Sequence, residues 1–327
     1  MSEEILQVDL DKMYDPKSII DLIVDNLKKT RNPLGLSNSK INTWWKNLDI
    51  KREGDTLLFT GLMYQLVPYI ERMTQYLEKY EESSLKKYVG ATRYMPKFIF
   101  RILFGKPLSE KDKKRFDNIV KNIAQILSAS GIDYCYRPEI DVYSGILLYD
   151  LGDIDGFANH AKYVADLLKK NNVKKIITVD PHTTYALKIL YPKYTDVDIE
   201  VHTYFEVLDT LNDLKVKKAN SDLKVTIHDP CFYGRYLEVS EVPRRLLKRL
   251  GVKIVEVGNR GKLTVCCGGP LESLYPSLSK QIGYRRVQEL RKTGQPVVAM
   301  CPICHVSLKR NGLETIDLSE LLSQIIL

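Results

Sequence analysis

Val225-Thr226-Ile227-His228-Asp229-Pro230-Cys231 is a short apolar strand that runs into a proline-marked turn and ends on a cysteine. Two similar arrivals follow. Leu263-Thr264-Val265 leads to Cys266-Cys267-Gly268-Gly269-Pro270, and Val297-Val298-Ala299-Met300 leads to Cys301-Pro302-Ile303-Cys304-His305. From Cys231 to Cys266 there are 34 intervening residues, and from Cys267 to Cys301 there are 33. In parallel α/β sheets, ligands gather at the carboxyl ends of strands, so the pattern predicts that Cys231, Cys266, Cys267, Cys301 and Cys304 converge. Neighbouring strands lie about 4.8 Å apart, close enough for one shared inorganic core.

Outward from this array, Val- and Ile-rich runs alternate with amphipathic segments. Strands are expected at Thr56–Leu62, Ile132–Tyr136, Lys175–Val179, Ile199–Thr203, Lys224–His228, Lys253–Val257, Leu263–Val265 and Val297–Met300. Helices are expected at Ser18–Lys29, Leu66–Lys79, Lys113–Ser128, Ile154–Lys170, Thr183–Tyr191, Val242–Leu250, Ser279–Lys292 and Leu318–Ile326. The class is α/β, with mainly parallel sheets flanked by helices.

The sequence also repeats itself. Without gaps, Thr56-Leu57-Leu58-Phe59-Thr60-Gly61-Leu62 falls on Val225 to Cys231, so Leu62 stands where Cys231 stands. Tyr143-Ser144-Gly145 falls on Cys266-Cys267-Gly268, and Asp180-Pro181-His182-Thr183 on Cys301-Pro302-Ile303-Cys304. The expected organisation is therefore two related modules. A helical lead-in covers 1–50, a first module without thiolates covers 51–210 with an insert at 80–115, and a metal-bearing module covers 211–327. The lead-in holds Asn32-Pro33-Leu34-Gly35, a turn, and Trp44-Trp45, a packing anchor. The insert carries the apolar run Lys97–Phe104, which suits a helix on the protein's own core or a docking segment.

With 327 residues, two domains are expected. The net charge of +8 is scattered among acidic and apolar neighbours, and no aromatic-interleaved basic stripe points to nucleic acid. No apolar run reaches the roughly 20 residues of a membrane span. The acidic start Met1-Ser2-Glu3-Glu4 lacks a signal-peptide core. These features lead us to expect a cytoplasmic protein, with any membrane association arising through partners. In such a compartment, grouped thiols mean metal or redox chemistry rather than structural disulfides.

Five thiolates exceed the four of a tetrahedral zinc and the four of an ordinary cubane. The surplus leaves three readings: an unusual iron–sulfur centre, a cubane with a spare reactive thiol, or a zinc site using four of the five. Cys304 opens a helix, whose N-terminus favours thiolate. His228 and His305 flank the array as candidate catalytic residues. Each is placed to hydrogen-bond a cluster sulfur or to relay a proton to a substrate thiolate. Cys-x-x-Cys-His also matches c-type haem attachment, a reading that leaves three cysteines unexplained. Cys135, inside an apolar run, reads as a buried structural thiol.

Asp229-Pro230-Cys231, Cys266-Cys267-Gly268-Gly269-Pro270 and Cys301-Pro302-Ile303-Cys304-His305 resemble the second copy of the motif of the cysteine-rich CCG-domain family. That family includes the B-type subunits of heterodisulfide reductases and the related half of the D-type subunits. It also includes the iron–sulfur subunits of glycolate, lactate and glycerol-3-phosphate dehydrogenases. The resemblance implies that Cys231, Cys266, Cys267, Cys301 and Cys304 ligate one noncubane [4Fe-4S] cluster per chain. It implies an oxidoreductase subunit that exchanges electrons with a thiol/disulfide or sulfur-carrier substrate, beside a ferredoxin-like or flavoprotein subunit. Two other functions stay open: an electron relay for a flavin-dependent lactate- or glycolate-type dehydrogenase, and a zinc-stabilised assembly scaffold. The departure from the family is in the first copy, where Leu62, Tyr143, Ser144, Asp180 and Thr183 replace all five thiolates.

Overall fold

The computed structural model describes residues 8–84, 105–214, 216–217 and 222–327. The apolar run Lys97–Phe104 and most of the insert lie outside the described residues.

Two parallel sheets form the frame. The first orders β1 (Thr56–Phe59), β2 (Lys175–Thr178) and β3 (Glu200–Thr203) side by side, and Cys135 adds one parallel bridge to Leu57 on the open edge of β1. The second orders β5 (Lys253–Ile254), β4 (Lys224–Ile227), β6 (Val297–Ala299) and β7 (Thr315–Asp317). If the Cys135 bridge is counted as a vestigial strand, both halves have the same order, in which the second segment lies outside the first and the third and fourth lie on its other side. The registers agree as well. Leu57 pairs with Ile176, and Thr226, its counterpart in the sequence repeat, pairs with Val297. The Cys135 amide donates to Thr56 O at 2.8 Å, as the Val255 amide donates to Val225 O at 2.8 Å.

The likeness extends to the connections. Thr203, which ends β3, and Asp317, which ends β7, each close a capping box with a glutamate three residues on. Each box satisfies two otherwise unpaired helix donors and fixes the strand-to-helix corner. Gly145 and Gly268 hold nearly identical left-handed backbones, at φ 83° and ψ −2° and at φ 89° and ψ −4°. Asp180 and Cys301 both start helices with proline next in line, where its missing N–H costs nothing.

Several expectations change at the edges of elements. Leu263–Val265 is not a strand: Gly261–Leu263 forms a tight helical turn, and Leu263 is 73% exposed. Both edges of β4 are already occupied, by β5 and β6, and Thr264 instead turns its hydroxyl to the Asp229 carbonyl at 2.8 Å, which holds the segment as a loop beside the end of β4. The expected strand at Ile132–Tyr136 shrinks to the single Cys135 bridge. β7 and the short helices Ile146–Asp150 and Tyr204–Asp209 carry no clear signal in the sequence pattern. Ile154–Lys170 and Leu318–Ile326 form helices over the expected residues.

Helices of the first half pack on the second. Glu110–Ala129 lies against Leu318–Ile326, where Arg115 grips Glu320 at 2.8 and 2.9 Å and Thr315 O at 2.6 Å. Tyr64 Oη donates to Asp317 Oδ2 at 2.7 Å. The lead-in joins the same body through Tyr14 N, which donates to Leu274 O at 2.7 Å. Its turn forms around the buried Asn32, whose Oδ1 accepts from the Leu34 and Leu36 amides. Trp44 is buried, with its ring 4.7 Å from that of Tyr136. Among the described residues, no helix is long and apolar enough to cross a membrane.

Candidate metal centre

β4 and β6 are adjacent, and the chain leaves them toward the same end of the sheet. They flank the position where strand order reverses, the place where open α/β sheets bind ligands. β4 delivers Cys231 after His228-Asp229-Pro230. β6 delivers Cys301, which caps the helix Pro302–Arg310 and puts Cys304 in its first turn. A loop supplies Cys266 and Cys267. It turns at Gly268, where a Cβ would stand 2.3 Å from Ser279 O, so no larger residue fits.

The five thiols are near enough to perturb one another's ionisation, Cys231 with Cys266, Cys266 with Cys267, Cys267 with Cys304, and Cys304 with Cys301, and the Cys267 and Cys304 sulfurs lie within 4.8 Å of each other. Cys267, Cys301 and Cys304 are buried, and Cys231 and Cys266 are half-buried at the outer edge. The sixth cysteine, Cys135, stands apart, with its Sγ 3.5 Å from Gly54 O.

Such a group cannot ionise fully by itself. The hydrogen bond with Cys266, then burial, pushes the Cys231 thiol far up. Contact with Cys266 raises Cys267, and contacts with Cys267 and Cys301 raise Cys304. Cys266 is held down by hydrogen bonds from Cys231 and Cys267. Burial works against ionisation of Cys301, but Cys304 and His182 hold it well below the usual thiol range. Like charges this close need either protons or cations between them. A multi-iron core supplies cations on the scale of five thiolates, whereas one tetrahedral zinc leaves a thiol over.

His228 supplies no charge to the centre but a donor. Its Nδ1 accepts from Arg286 Nε at 3.1 Å, so Nε2 carries the proton. Nε2 is buried and has no partner within the protein. A ring nitrogen of His228 and the Cys267 and Cys304 sulfurs lie within 4.8 Å of one another. Burial, then the Arg286 charge, depresses the imidazole to about 3, so it is neutral. His228 is thus a neutral donor beside the sulfurs. His305 is not brought to the centre: Nδ1 meets Thr315 Oγ1 at 2.6 Å and Nε2 meets Asp317 Oδ2 at 2.9 Å. Neither nitrogen is left for a sulfur or a substrate, and His305 instead ties its helix to β7.

One residue near the centre has no place in the sequence expectations. His182, from the first half, puts Nε2 at 3.4 Å from Cys301 Sγ. Burial opposes its charge, but the Cys301 thiolate and Asp180 raise it to about 9. Its signal is present in the repeat, because His182 occupies the place of Ile303, between the counterparts of Cys301 and Cys304. The replaced positions of the first half, Leu62, Tyr143, Ser144, Asp180 and Thr183, are all buried. There Asp180 Oδ1 caps the amides of His182 and Thr183 at 2.9 and 3.0 Å, which fixes the loop that carries His182.

Residues 225–309, which bear the five thiols, match the model of the CCG family, described as a cysteine-rich domain. The chain is also similar to parts of longer proteins described as iron–sulfur or ferredoxin proteins and as a heterodisulfide reductase subunit. It is 30% identical over 207 residues to a probable membrane-anchored ferredoxin of Chromohalobacter salexigens, covering 60% of this chain and 30% of that protein. It is 30% identical over 227 residues to the probable iron-sulfur-binding oxidoreductase FadF of Bacillus subtilis, covering 65% and 32%. With the D-type subunit of the dihydromethanophenazine:CoB–CoM heterodisulfide reductase of Methanosarcina mazei it shares 28% identity over 205 residues, covering 59% and 49%. The matches span only a third to a half of the length of these relatives.

Proposed function

We propose that this chain is an iron–sulfur redox subunit of a heterodisulfide-reductase-like complex. In this reading Cys231, Cys266, Cys267, Cys301 and Cys304 hold one [4Fe-4S]-type cluster of noncubane form, and the chain exchanges electrons with a thiol/disulfide or sulfur-carrier substrate. The observation that carries it is the gathering of all five thiols at one end of the second sheet, with Cys267 and Cys304 within 4.8 Å of each other and of a His228 nitrogen, and with Cys231 and Cys266 half-open to the outside. Bound there, a cluster supplies one-electron transfer. The chain's own contributions are the His228 donor, the His182 contact to Cys301 and the exclusion of water around Cys267, Cys301 and Cys304. Hydrogen bonds to sulfur and burial both tune such a centre.

The first half, 51–210, is on this reading a degenerate copy of the same module, and 211–327 is the working copy. Shared strand order, shared register and paired capping boxes support it. The degenerate copy serves as a wall and delivers His182. The partner would be a ferredoxin-like or flavoprotein subunit. Anaerobic purification followed by iron and sulfide analysis and EPR tests the proposal. About four irons per chain and a cluster signal that changes when a disulfide is added are expected. Colourless protein with a single zinc and no iron would sink it.

A further inference from the structure

Reducing a disulfide takes protons as well as electrons, and the three nearby histidines do not supply them. His228 is neutral, and losing its one ring proton would leave an anion. His305 is tied through both nitrogens to Thr315 and Asp317. His182 is spent on Cys301 Sγ at 3.4 Å. Glu272, which lines the same small cavity as His182, is bound to Arg310.

Asp150 is placed differently. It ends the short helix Ile146–Asp150, which follows Gly145, the counterpart of Gly268. It lines that cavity together with His182 and Gly269, and a Cβ on Gly269 would stand 3.5 Å from Cys267 Sγ. Its carboxyl feels the charges of His182 and Cys266, and its own charge reaches Tyr185. The Tyr185 ring packs 5.1 Å from that of Phe232, the residue after Cys231. Asp150 therefore stands on the side of the centre where Cys231 and Cys266 are half-open.

Among the described residues no hydrogen bond or ion pair holds this carboxyl. The last residue of a helix is also an unfavourable place for a carboxylate, because the helix dipole is negative there. Such a group adds nothing to stability, and groups of this kind collect at functional sites. Burial lifts the carboxyl to about 6, with His182 opposing and Cys266 reinforcing the shift. The phenols that face it, Tyr143 and Tyr185, are raised by burial and hold their protons. The lead-in helix Pro16–Thr30 and the helix Met63–Tyr80 bring only uncharged side chains to the cavity. Helix Ile154–Lys170, packed on the same short helix, uses Asp153 as its own cap and sets His160 on Tyr143 O. As a residue Asp150 is exposed, so solvent can renew its proton.

We propose that Asp150 is the acid that protonates the thiolate released when a disulfide is reduced at the half-open edge of the centre. The proposal rests on the redox reading given above and deepens it. The S–S bond breaks, and its two sulfurs take up two electrons that arrive singly from the ferredoxin-like or flavoprotein partner by way of the centre. Asp150 gives its proton to the sulfur released beside Cys266 and is reprotonated by solvent. The second sulfur takes its proton from solvent and leaves as the other thiol. An acid that titrates near the working pH is the most effective donor for such a step.

The test uses the anaerobically prepared full chain, reduced with dithionite and mixed with 2-hydroxyethyl disulfide, with iron content measured in parallel. Reoxidation should slow as pH rises between about 5 and about 8. Asp150→Asn should keep its iron, react at least tenfold more slowly at the acid end and lose the pH dependence, while Asp150→Glu should retain both rate and profile. A second measurement needs no turnover: carbon-13 NMR of the metal-free chain should show a carboxyl titrating near 6 that vanishes in Asp150→Asn. A rate and profile unchanged in Asp150→Asn, or a carboxyl titrating in the ordinary aspartate range, would overturn the proposal and leave the redox reading standing. Iron present but no reoxidation of the wild type by the disulfide would remove the proposal and the disulfide chemistry together. Absence of iron would remove the redox reading itself.

Discussion

Arg286 Nε donates to His228 Nδ1 across 3.1 Å, and this single bond leaves the ring proton on Nε2, so His228 stands as a donor beside the Cys267 and Cys304 sulfurs. Arg286 is itself fully buried and held by Glu289 at 2.6 Å and Asn259 O at 2.9 Å. The arrangement fixes a tautomer through a neighbour, a common device around metal centres. Donors to cluster sulfur stabilise the reduced, more negative state. His228→Phe, which keeps the ring's bulk and removes the donor, should leave iron content near the wild-type level and shift the midpoint potential to more negative values. Redox titration followed by EPR reads the shift. An unchanged potential would mean that the imidazole only fills space.

Replacing each cysteine by serine in turn distinguishes five ligands from four. With five ligands, every one of Cys231→Ser, Cys266→Ser, Cys267→Ser, Cys301→Ser and Cys304→Ser lowers the iron content. With four, as in a zinc site or an ordinary cubane, one of them is silent. Cys135→Ala is the control. Its sulfur lies 3.5 Å from Gly54 O, and its backbone stands in register with Val255 of the other half. Iron content should stay unchanged, with a loss of about 1 kcal/mol in stability from lost packing.

Sequence patterns reveal the centre more readily than its surroundings. Strand-then-cysteine arrivals locate Cys231 and Cys301 because parallel strands bury both faces and read as continuous apolar runs. Cys266 and Cys267 are found by residue type, while the strand expected before them is wrong: Leu263 and Val265 look like strand residues, but Leu263 lies exposed in a helical turn and Thr264 is tied to the Asp229 carbonyl instead of to a ladder. β7 escapes notice because Thr315-Ile316-Asp317 is three residues long and only one of them is apolar. The roles of the histidines depend on contacts that spacing does not encode. His305 sits next to Cys304 in the chain, yet both its nitrogens serve Thr315 and Asp317, whereas His182, 119 residues from Cys301, reaches the sulfur. The repeat is legible in the order of its anchors, but the inward aim of His182 requires the packing of one half on the other.

Glu71 and Glu272 share Arg310, and that sharing gives the protein a pH signature. Burial lifts Glu71 from its ordinary 4.5 to about 7, with Arg310 opposing and Glu272 reinforcing the shift. A carboxyl whose folded pKa is raised holds its proton more tightly in the native state. Its contribution to stability is therefore fully present below pH 4.5 and is lost as pH rises through 7. The upper bound for the loss is about 3 kcal/mol, at roughly 1.36 kcal/mol per pKa unit. Glu71→Gln removes the titration, while Arg310 keeps Glu272. The variant should gain stability relative to the wild type at about pH 8 and show little advantage at about pH 4.5. Parallel denaturant melts at the two pH values test this, and a variant that is weaker at the higher pH would show that the ion pair outweighs the burial.

The corner that presents Cys231 depends on a buried ion pair. Arg244 holds both oxygens of Asp229 at 2.8 Å, two residues before the cysteine, and its other edge grips Glu256 at 2.7 and 3.0 Å. Asp229 in turn ties the loop that leads to Cys266: its Oδ2 accepts from the Gly261 amide at 2.7 Å and its carbonyl from Thr264 Oγ1 at 2.8 Å. Removing one partner of a buried pair leaves an uncompensated charge and costs about 3–5 kcal/mol. Arg244→Ala should lose stability on that scale and release metal faster to a chelator, because two of the three segments bearing thiols are anchored there. Arg244→Lys cannot make the two-pronged contact and should fall between the wild type and the alanine variant. If Arg244→Ala loses stability but holds its metal as tightly as the wild type, the pair supports the fold alone and Cys231 is positioned independently of it.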